Sequence, residues 1–274
     1  SIRATRLERR TGSQMKTRLR ELVLNEARAY AAFTRGGWRE HGFAVSLVSE
    51  RLPDPRFNRA YVLPSEDLTP ESLQKLTEDF SSVPLPFRMD VFLPVSRRTE
   101  ELLERTVFDV TENYASEMVL AELPNSSEAN PAVRIERVAQ DDIDTFSTVL
   151  MKAYEMPADV FSIAFPILRQ TISGALEHQG VLLYVAYLDS RSVGVLYLFH
   201  EDGVGGIYNV GVLPEIRKQG VARALMLRAI EDSRAIGNGT LCLQTRADSF
   251  QEHFYHKLGF EVVARRNRVV RIES

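Results

Sequence analysis

The chain has 274 residues, of which 44% are hydrophobic and 26% are charged, and its formal net charge is −3. This composition is typical of a globular protein with a sizeable core, in one large domain or in two of roughly 130 residues each. No apolar run approaches the ~18 residues of a membrane-spanning helix, no signal peptide is visible, and the single cysteine, Cys242, excludes an intrachain disulfide. We therefore predict a cytoplasmic protein without a membrane partner.

The N-terminal segment differs in charge from the rest of the chain. Residues 1–20 carry seven basic side chains and one acidic side chain, so the remainder is acidic. A basic arm can bind nucleic acid. The acidic body lacks basic residues interleaved with aromatic ones, and we therefore predict no nucleic-acid partner. Because Met15 resembles a native start, we interpret residues 1–14 as a leader that is not native.

Segments of helical and strand-like periodicity alternate through the first half of the chain. Helix starts are recognised by a capping hydroxyl, followed in one case by proline at the first helical position. In chain order, the sequence predicts a helix at 19–33, strands at 43–50 and 57–63, a helix capped by Thr69 with Pro70 next, a strand at 87–94, a helix opened by Ser96 and strand material at 108–123.

A change of composition at residues 124–132 predicts a linker. This segment holds two prolines, two serines and two asparagines, and it has no large apolar residue. We therefore predict one domain at 15–123 and another at 133–274. In the second domain, the sequence predicts strands at 132–138, 181–188, 192–199, 206–212, 240–246 and 260–272, and helices at 141–154, 158–176, from about 221 to Ile236, and 248–258.

The joint between the strand at 206–212 and the next helix has the chemistry of an anion site. A helix start has N–H groups without internal partners and lies at the positive end of the helix dipole. Gly220 lacks a Cβ, so a ligand can approach the backbone there, and Arg217 and Lys218 add positive charge. A phosphate cradle and a plain strand-to-helix turn are equally compatible with the joint alone.

Two motifs together resemble the GNAT superfamily of acyl-CoA-dependent N-acetyltransferases. Arg217, Gly220 and Ala222 match R-x-x-G-x-(G/A) after a V-x-V-x-P stretch, and the segment 253–261, HFYHKLGFE, follows one strand later. Each motif is weak alone, but the pair in this order is specific. The resemblance covers roughly residues 132–270. It implies an α/β fold of tandem GNAT-like halves, with a mostly antiparallel central sheet, flanking helices and a splayed cofactor cleft in the C-terminal half.

The resemblance also implies site residues and a cofactor. Acetyl-CoA would be the cosubstrate, with its pantetheine arm along the backbone of the strand and its pyrophosphate on N–H groups of the loop. Tyr255 matches the general acid of the family, which protonates the departing CoA thiolate. The amine attacks directly, so no nucleophilic side chain is required. The implied cofactor-binding residues are Val210, Gly211, Val212, Arg217, Lys218, Gln219, Gly220, Val221 and Ala222.

The match has departures. Lys218 stands where many members have glycine, and Ala222 replaces a second glycine. Asp248 and Gln251 lie where relatives often have asparagine and alanine. These differences put fine contacts to the pantetheine arm in doubt. Residues 15–123 lack R-x-x-G-x-(G/A), so we interpret that half as a degenerate GNAT-like domain that covers the core and shapes the acceptor pocket or an oligomer interface.

Other candidate sites have weaker patterns. His253 and His256 lie one helical turn apart without a third evident ligand, so we predict no metal. The GVGG segment at 203–206 is better explained as a hairpin than as a phosphate loop, Cys242 as a small buried residue, and Trp38 as a packed aromatic, with a pocket-lining role as the alternative. No single general base stands out among His200, Glu201, Asp202, Tyr208 and Asn209.

These observations predict an enzyme, a GNAT-type acetyl-CoA:amine N-acetyltransferase. The acceptor is a small-molecule or peptide amine that the sequence does not specify, and the oligomeric state is open, a dimer included. Two alternatives remain: a non-catalytic acyl-CoA sensor or interaction protein, and a transferase for a longer acyl chain.

Overall fold

The computed structural model describes residues 12–52, 54–63, 68–84, 88–106, 108–124 and 129–271, with only the backbone described for 12–16. Most of the predicted leader at 1–14 lies outside these ranges. The described elements, in chain order, are α1 Gly12–Thr34, β1 Gly37–Glu40, β2 Ala44–Val48, β3 Arg59–Val62, α2 Pro70–Asp79, β4 Arg88–Phe92, α3 Arg97–Arg105, β5 Phe108–Leu120, β6 Val133–Arg137, α4 Ile143–Ala153, α5 Ala158–Ala175, β7 Val181–Leu188, β8 Arg191–Glu201, β9 Val204–Val212, α6 Val221–Ile236, β10 Thr240–Arg246, α7 Phe250–Lys257 and β11 Phe260–Arg271.

Local sequence signals account for several element boundaries. At the start of α2, the Thr69 hydroxyl accepts a hydrogen bond from the Ser72 N–H. The Ser72 hydroxyl in turn accepts one from the Thr69 N–H. Ser96 caps α3 through the Thr99 N–H. These side chains satisfy backbone donors that a helix leaves without partners, so the predicted starts of both helices are confirmed. No described helix has the length and apolar character that crossing a bilayer requires.

The described chain divides into two compact units. The first contains residues up to Val119, Gln244–His256 and residues from Glu261 on, and the second contains Leu120–Leu243 and Lys257–Phe260. The predicted domains place all of 133–274 together. The units differ from that division because β11 pairs antiparallel with β4, with Arg268 opposite Asp90, and this pairing joins the end of the chain to the first unit.

The first unit is built on a mixed, mostly antiparallel sheet in the order β1-β2-β3-β4-β11-β5. Strands β3 and β4 are parallel, whereas β1 with β2, β2 with β3, and β4 with β11 are antiparallel. Helices α2 and α3 cover an apolar core on this sheet, which contains Ala44, Ala60, Val62, Leu68, Leu76, Phe80, Met89, Val91, Leu103 and Val269.

A cluster of buried charges lies inside the first unit. Arg266 contacts Glu26 at 3.0 Å and Glu117 at 3.2 Å, and Arg59 contacts Glu26 at 2.5 Å and Asp90 at 3.2 Å. Buried charges are costly unless they are paired. Among the described residues, Glu117 Oε1 accepts no hydrogen bond, and Glu117 Oε2 accepts from Gln244. Burial raises the pKa of Glu117 to about 7, against an opposing effect of Arg266.

The pKa of Glu117 leads to an expected dependence of stability on pH. Between the ordinary value near 4.5 and about 7, the folded state holds a proton that the unfolded state has lost. The free energy of unfolding therefore falls as pH rises through this window, by about 3 kcal/mol at most. We expect Glu117→Gln to remove this component, measured as the difference in unfolding free energy between wild type and variant from pH 5 to 8. The control is Glu112→Gln, an exposed position of the same strand. A Glu117→Gln protein with the wild-type slope would contradict the assignment.

The second unit is also built on a mixed, mostly antiparallel sheet, in the order β10-β9-β8-β7-β6. Strands β10 and β9 are parallel, and the other neighbours are antiparallel. Helices α4 and α6 pack on this sheet. The predicted α/β class with flanking helices is therefore confirmed, as are the hairpin turns after β7 and β8, where Asp189, Ser190, Asp202 and Gly203 have positive φ.

Candidate acyl-CoA cradle and active site

A bulge in β9 shapes the strand that leads into the cradle. Val195 of β8 lies opposite Gly211, but Tyr197, two residues on, lies opposite Tyr208, so β9 has one extra residue between these pairs. Asn209, within the bulge, has a φ of 50°. A bulge bends its strand and interrupts the ladder of backbone hydrogen bonds. This bend sets the direction of residues 210–212, the segment predicted to hold the pantetheine arm.

The edge of β9 is only partly paired. Its parallel pairing with β10 runs from Val204 opposite Thr240 to Ile207 opposite Leu243 and stops there. Among the described residues of this unit, Tyr208–Val212 therefore has β8 as its one partner strand. An open strand edge presents backbone N–H and C=O groups that an extended ligand can bind as an added strand would.

The start of α6 lies close to the sheet because Gly194 of β8 has no side chain. A Cβ at Gly194 of β8 would lie 2.8 Å from Val221 Cγ1 and 3.1 Å from Leu225 Cδ1, too close for either contact. Gly194 lies opposite Val212 in the sheet. The first turn of α6 can therefore pack directly over the end of β9, which places the turn between them. The sequence analysis did not single out Gly194.

The turn itself, residues 217–222, forms the cradle. Lys218 has a φ of 67° and Gly220 a φ of 83°, so the peptide groups turn successively inward. The N–H groups of Lys218 through Ala222 donate to no acceptor among the residues that the structure describes. Five neighbouring unpaired donors at a helix start form an anion-binding concavity. This run of donors fits the diphosphate of a CoA molecule, and Lys218 through Ala222 are the residues that would hold it.

The Arg217 side chain contacts groups outside the cradle loop. Its Nη2 donates to the carbonyl of Ala153 at 3.0 Å and to Glu155 Oε2 at 3.0 Å. The guanidinium thus ties the end of α4 to the cradle loop. A sequence motif shows only that a cation stands at this position, and the direction of its side chain depends on Ala153 at the end of α4, 64 residues earlier in the chain.

Asn130 is a cradle neighbour that the sequence analysis placed in the linker. Its Nδ2 donates to the Gln219 carbonyl at 2.8 Å, and its Cβ would lie 3.0 Å from a Cβ at Gly220. Asn130 therefore fixes the loop from outside. Asparagine in a Pro-rich segment is usually a turn residue, so the sequence around Asn130 does not predict its contact with Gln219.

Tyr255, the candidate general acid, lies on α7 of the first unit. Its side chain is half-buried, and its ring lies 5.3 Å from the ring of Phe254. The strand-end residues considered as bases are placed near the β8–β9 hairpin. Of these, His200 has its pKa lowered, mainly by burial. A neutral imidazole is able to accept a proton, but no contact among the described residues identifies His200 as the general base.

The remaining candidates from the sequence are Cys242, the two histidines of α7 and Trp38. Cys242 is fully buried, as predicted. Within the described ranges, no group of three or more His, Cys, Asp or Glu side chains has metal-site geometry. Trp38 is 39% exposed, and one face of its ring packs against the Arg28 guanidinium, 5.1 Å from the ring centroid.

Comparison with known proteins supports the resemblance. Residues 179–262 match the family model described as an acetyltransferase (GNAT) domain. The sequence matches no curated protein. Three solved structures cover most of the chain: a GCN5-related N-acetyltransferase from Kribbella flavida (TM-score 0.62, 17% identity, 91% of this chain and 96% of that one), a conserved protein of unknown function from Staphylococcus epidermidis (0.60, 14%, 87% and 94%), and a GNAT-family acetyltransferase from Novosphingobium aromaticivorans (0.57, 15%, 92% and 97%).

The fold and the family match define the class of protein. The described chain has a GNAT fold over most of its length, as the sequence predicts. Residues 179–262, which hold β9, the candidate cradle and α7, match the model of a GNAT acetyltransferase domain. This class implies acyl-CoA-dependent acyl transfer.

Proposed function

We propose that this protein transfers an acetyl group from acetyl-CoA to an amine acceptor, by direct attack of the amine on the thioester. The observation that carries the proposal is the run of unpaired N–H donors from Lys218 to Ala222, directly after a strand with an open edge. Together they offer hydrogen-bond donors for a diphosphate and a backbone edge for an extended amide chain, which are the two recognisable parts of CoA.

The cofactor-binding residues divide by the part of CoA that they would hold. Backbone groups of Val210, Gly211 and Val212 bind the pantetheine amides as an added strand. The N–H groups of the cradle bind the pyrophosphate, with support from the positive end of the α6 dipole. Arg217 contributes by holding the loop against α4, because its guanidinium is already paired with Glu155 and the Ala153 carbonyl.

Tyr255 supplies a proton in this proposal. When the amine attacks the thioester carbonyl, the carbon–sulfur bond breaks and the sulfur departs with the electron pair. A simple thiol has a pKa of about 8.5, so a proton donor beside the sulfur speeds its departure. The Tyr255 hydroxyl donates that proton, and the proton that the attacking nitrogen loses passes through water and restores the hydroxyl. A strand N–H stabilises the negative charge that develops on the carbonyl oxygen.

A non-catalytic acyl-CoA sensor, or a transferase for a longer acyl chain, would use the same cradle. The described residues of the cradle contact only the part of CoA that all acyl-CoA molecules share, so they favour neither alternative. The preferred length of the acyl chain distinguishes an acetyltransferase from a transferase for a longer acyl group, since a site built for acetyl would exclude longer chains. The acceptor is a small-molecule or peptide amine, and the enzyme needs no metal for this reaction.

The proposal is tested by calorimetric titration of the purified protein with acetyl-CoA, CoA and a longer acyl-CoA. We expect saturable binding near one molecule per chain for acetyl-CoA. Desulfo-CoA serves as a control, because it keeps the diphosphate and both amides of the pantetheine arm but has no sulfur. A wild-type protein that binds none of these ligands would remove the acetyltransferase proposal.

A further inference from the structure

A cavity of about 410 Å³ lies within the first unit, beside the edge strand β1. Gly37 and Arg39 of β1 lie opposite Val48 and Ser46 of β2. Because side chains alternate along a strand, these four positions share one face of the hairpin, and all four line the cavity. A volume of this size is typical of sites for small molecules.

The floor of the cavity is a buried polar group held in place by three donors. The Asp79 side chain is 4% exposed. Its Oδ2 accepts from Ser46 Oγ at 2.6 Å and from His41 Nε2 at 2.8 Å, and its Oδ1 accepts from Arg39. Asp79 therefore already accepts most of its hydrogen bonds from groups of the protein. The polar floor is preorganised, and Asp79 adds little unpaired negative charge to the cavity.

The walls of the cavity carry an excess of positive charge. Arg35, Arg39 and Arg51 line it, against the carboxylates of Glu50 and Asp79. Asp79 already accepts from Arg39. Arg51 is exposed and forms no ion pair with any residue in the described part of the chain. Guanidinium groups bind carboxylate and phosphate oxygens with paired hydrogen bonds, so the walls favour an anion.

Gly37 lines the cavity without a side chain. A Cβ placed at Gly37 meets no atom within 4 Å, and its direction along β1 is that of Arg39, into the cavity. By contrast, a Cβ at Gly36 would lie 2.5 Å from the Val48 carbonyl oxygen, so Gly36 is required by the chain path. A side chain at Gly37 would therefore enter the cavity without meeting any described atom within 4 Å of its Cβ.

We propose that this cavity is a binding site for a small organic oxyanion, a molecule whose carboxylate or phosphate group contacts Arg51 while its body rests over Gly37, Val48 and Ser46. All lining residues belong to the first unit. The proposal does not depend on acetyl transfer, since no cradle residue takes part in it. It gives the N-terminal half, which lacks the cradle motif, a ligand of its own.

The protein contains its own reporter for this site. Trp38 is the one tryptophan in the sequence, lies in β1 between Gly37 and Arg39, and is 39% exposed. Its fluorescence can be followed while the full chain is titrated with citrate, with inorganic phosphate, and with sodium chloride at matched ionic strength. We expect a saturable change with citrate or with phosphate and none with chloride. Citrate alone identifies a carboxylate site, and phosphate alone identifies a phosphate site.

Two variants connect the signal with the cavity. Gly37→Leu fills the floor, and we expect it to abolish the saturable change. Gly42→Leu is its control, because Gly42 lies in the same hairpin, also has open space at its Cβ, and does not line the cavity. Arg51→Gln should weaken binding by about tenfold or more, since it removes a charged donor. Arg105→Gln, an exposed arginine on α3, is the control for loss of one charge.

Thermal unfolding of each variant verifies that it is folded before its titration is compared. The absence of a saturable change with both citrate and phosphate would overturn the proposal. So would a saturable change that Gly37→Leu and Gly42→Leu retain equally, because the anion would then bind elsewhere.

Discussion

Replacing Gly220 by glutamate is expected to abolish detectable acetyl-CoA binding, with a loss of affinity of about 100-fold or more. Three effects act together. The carboxylate places negative charge at the donors proposed for the pyrophosphate, its Cβ would lie 3.0 Å from Asn130, and a φ of 83° is unfavourable for a residue with a side chain by about 1–2 kcal/mol. Calorimetric titration with acetyl-CoA measures the effect.

The control for this variant is at the opposite end of the same helix. Gly237 also has positive φ, 95°, and a Cβ there meets no atom within 4 Å. Gly237→Glu therefore imposes a similar backbone cost on α6 without changing the cradle. We expect it to bind acetyl-CoA like the wild type, apart from any loss of stability. Equal losses of affinity in both variants would show that helix stability, and not the cradle, controls binding.

Replacing Tyr255 by phenylalanine is expected to lower kcat by about 100-fold or more while the Kd for acetyl-CoA stays within about twofold. The substitution removes only the hydroxyl, so the half-buried ring keeps its packing against Phe254. Turnover is followed as release of free CoA thiol with a panel of amines: a polyamine, an aminoglycoside and a peptide with a free N-terminus. The one cysteine, Cys242, is fully buried, so the native protein adds little background to a thiol reagent.

The matched control is Tyr187→Phe on β7, which removes a hydroxyl from the second unit at a position outside the cradle. We expect it to leave kcat unchanged. If Tyr255→Phe turns over normally, the general-acid assignment is wrong and the proton comes from another group. If the wild type binds acetyl-CoA but acetylates no amine of the panel, the sensor alternative gains support over the enzyme.

Much of the site could be predicted because its signals are local. The strand, the turn and the start of α6 occupy residues 204–236 without interruption, and their identities depend on neighbours in the chain. The same holds for the capping hydroxyls of Thr69 and Ser96 and for the hairpin at Asp189 and Ser190. A helix cap or a two-residue turn satisfies its backbone groups within four residues, so the sequence contains all the information it needs.

Contacts between distant segments could not be predicted in this way. The Arg217 side chain turns toward α4, Asn130 leaves the linker to bind the Gln219 carbonyl, and Gly194 admits the first turn of α6. Strand β1 was missed because all four of its residues are exposed and show no alternation of apolar and polar side chains. The cavity beside it depends on α2, 33 residues after Ser46.

The sequence by itself determined the class of fold, the order of most elements and the place of the candidate cradle between a strand and a helix, because periodicity, caps and a two-part motif are properties of neighbouring residues. The tertiary structure alone decided that β11 pairs with β4, that five N–H groups of the candidate cradle have no partner among the described residues, and that Gly37 and Arg39 line a cavity. Each of these follows from packing between segments far apart in the chain, and no local pattern encodes which distant atoms come into contact.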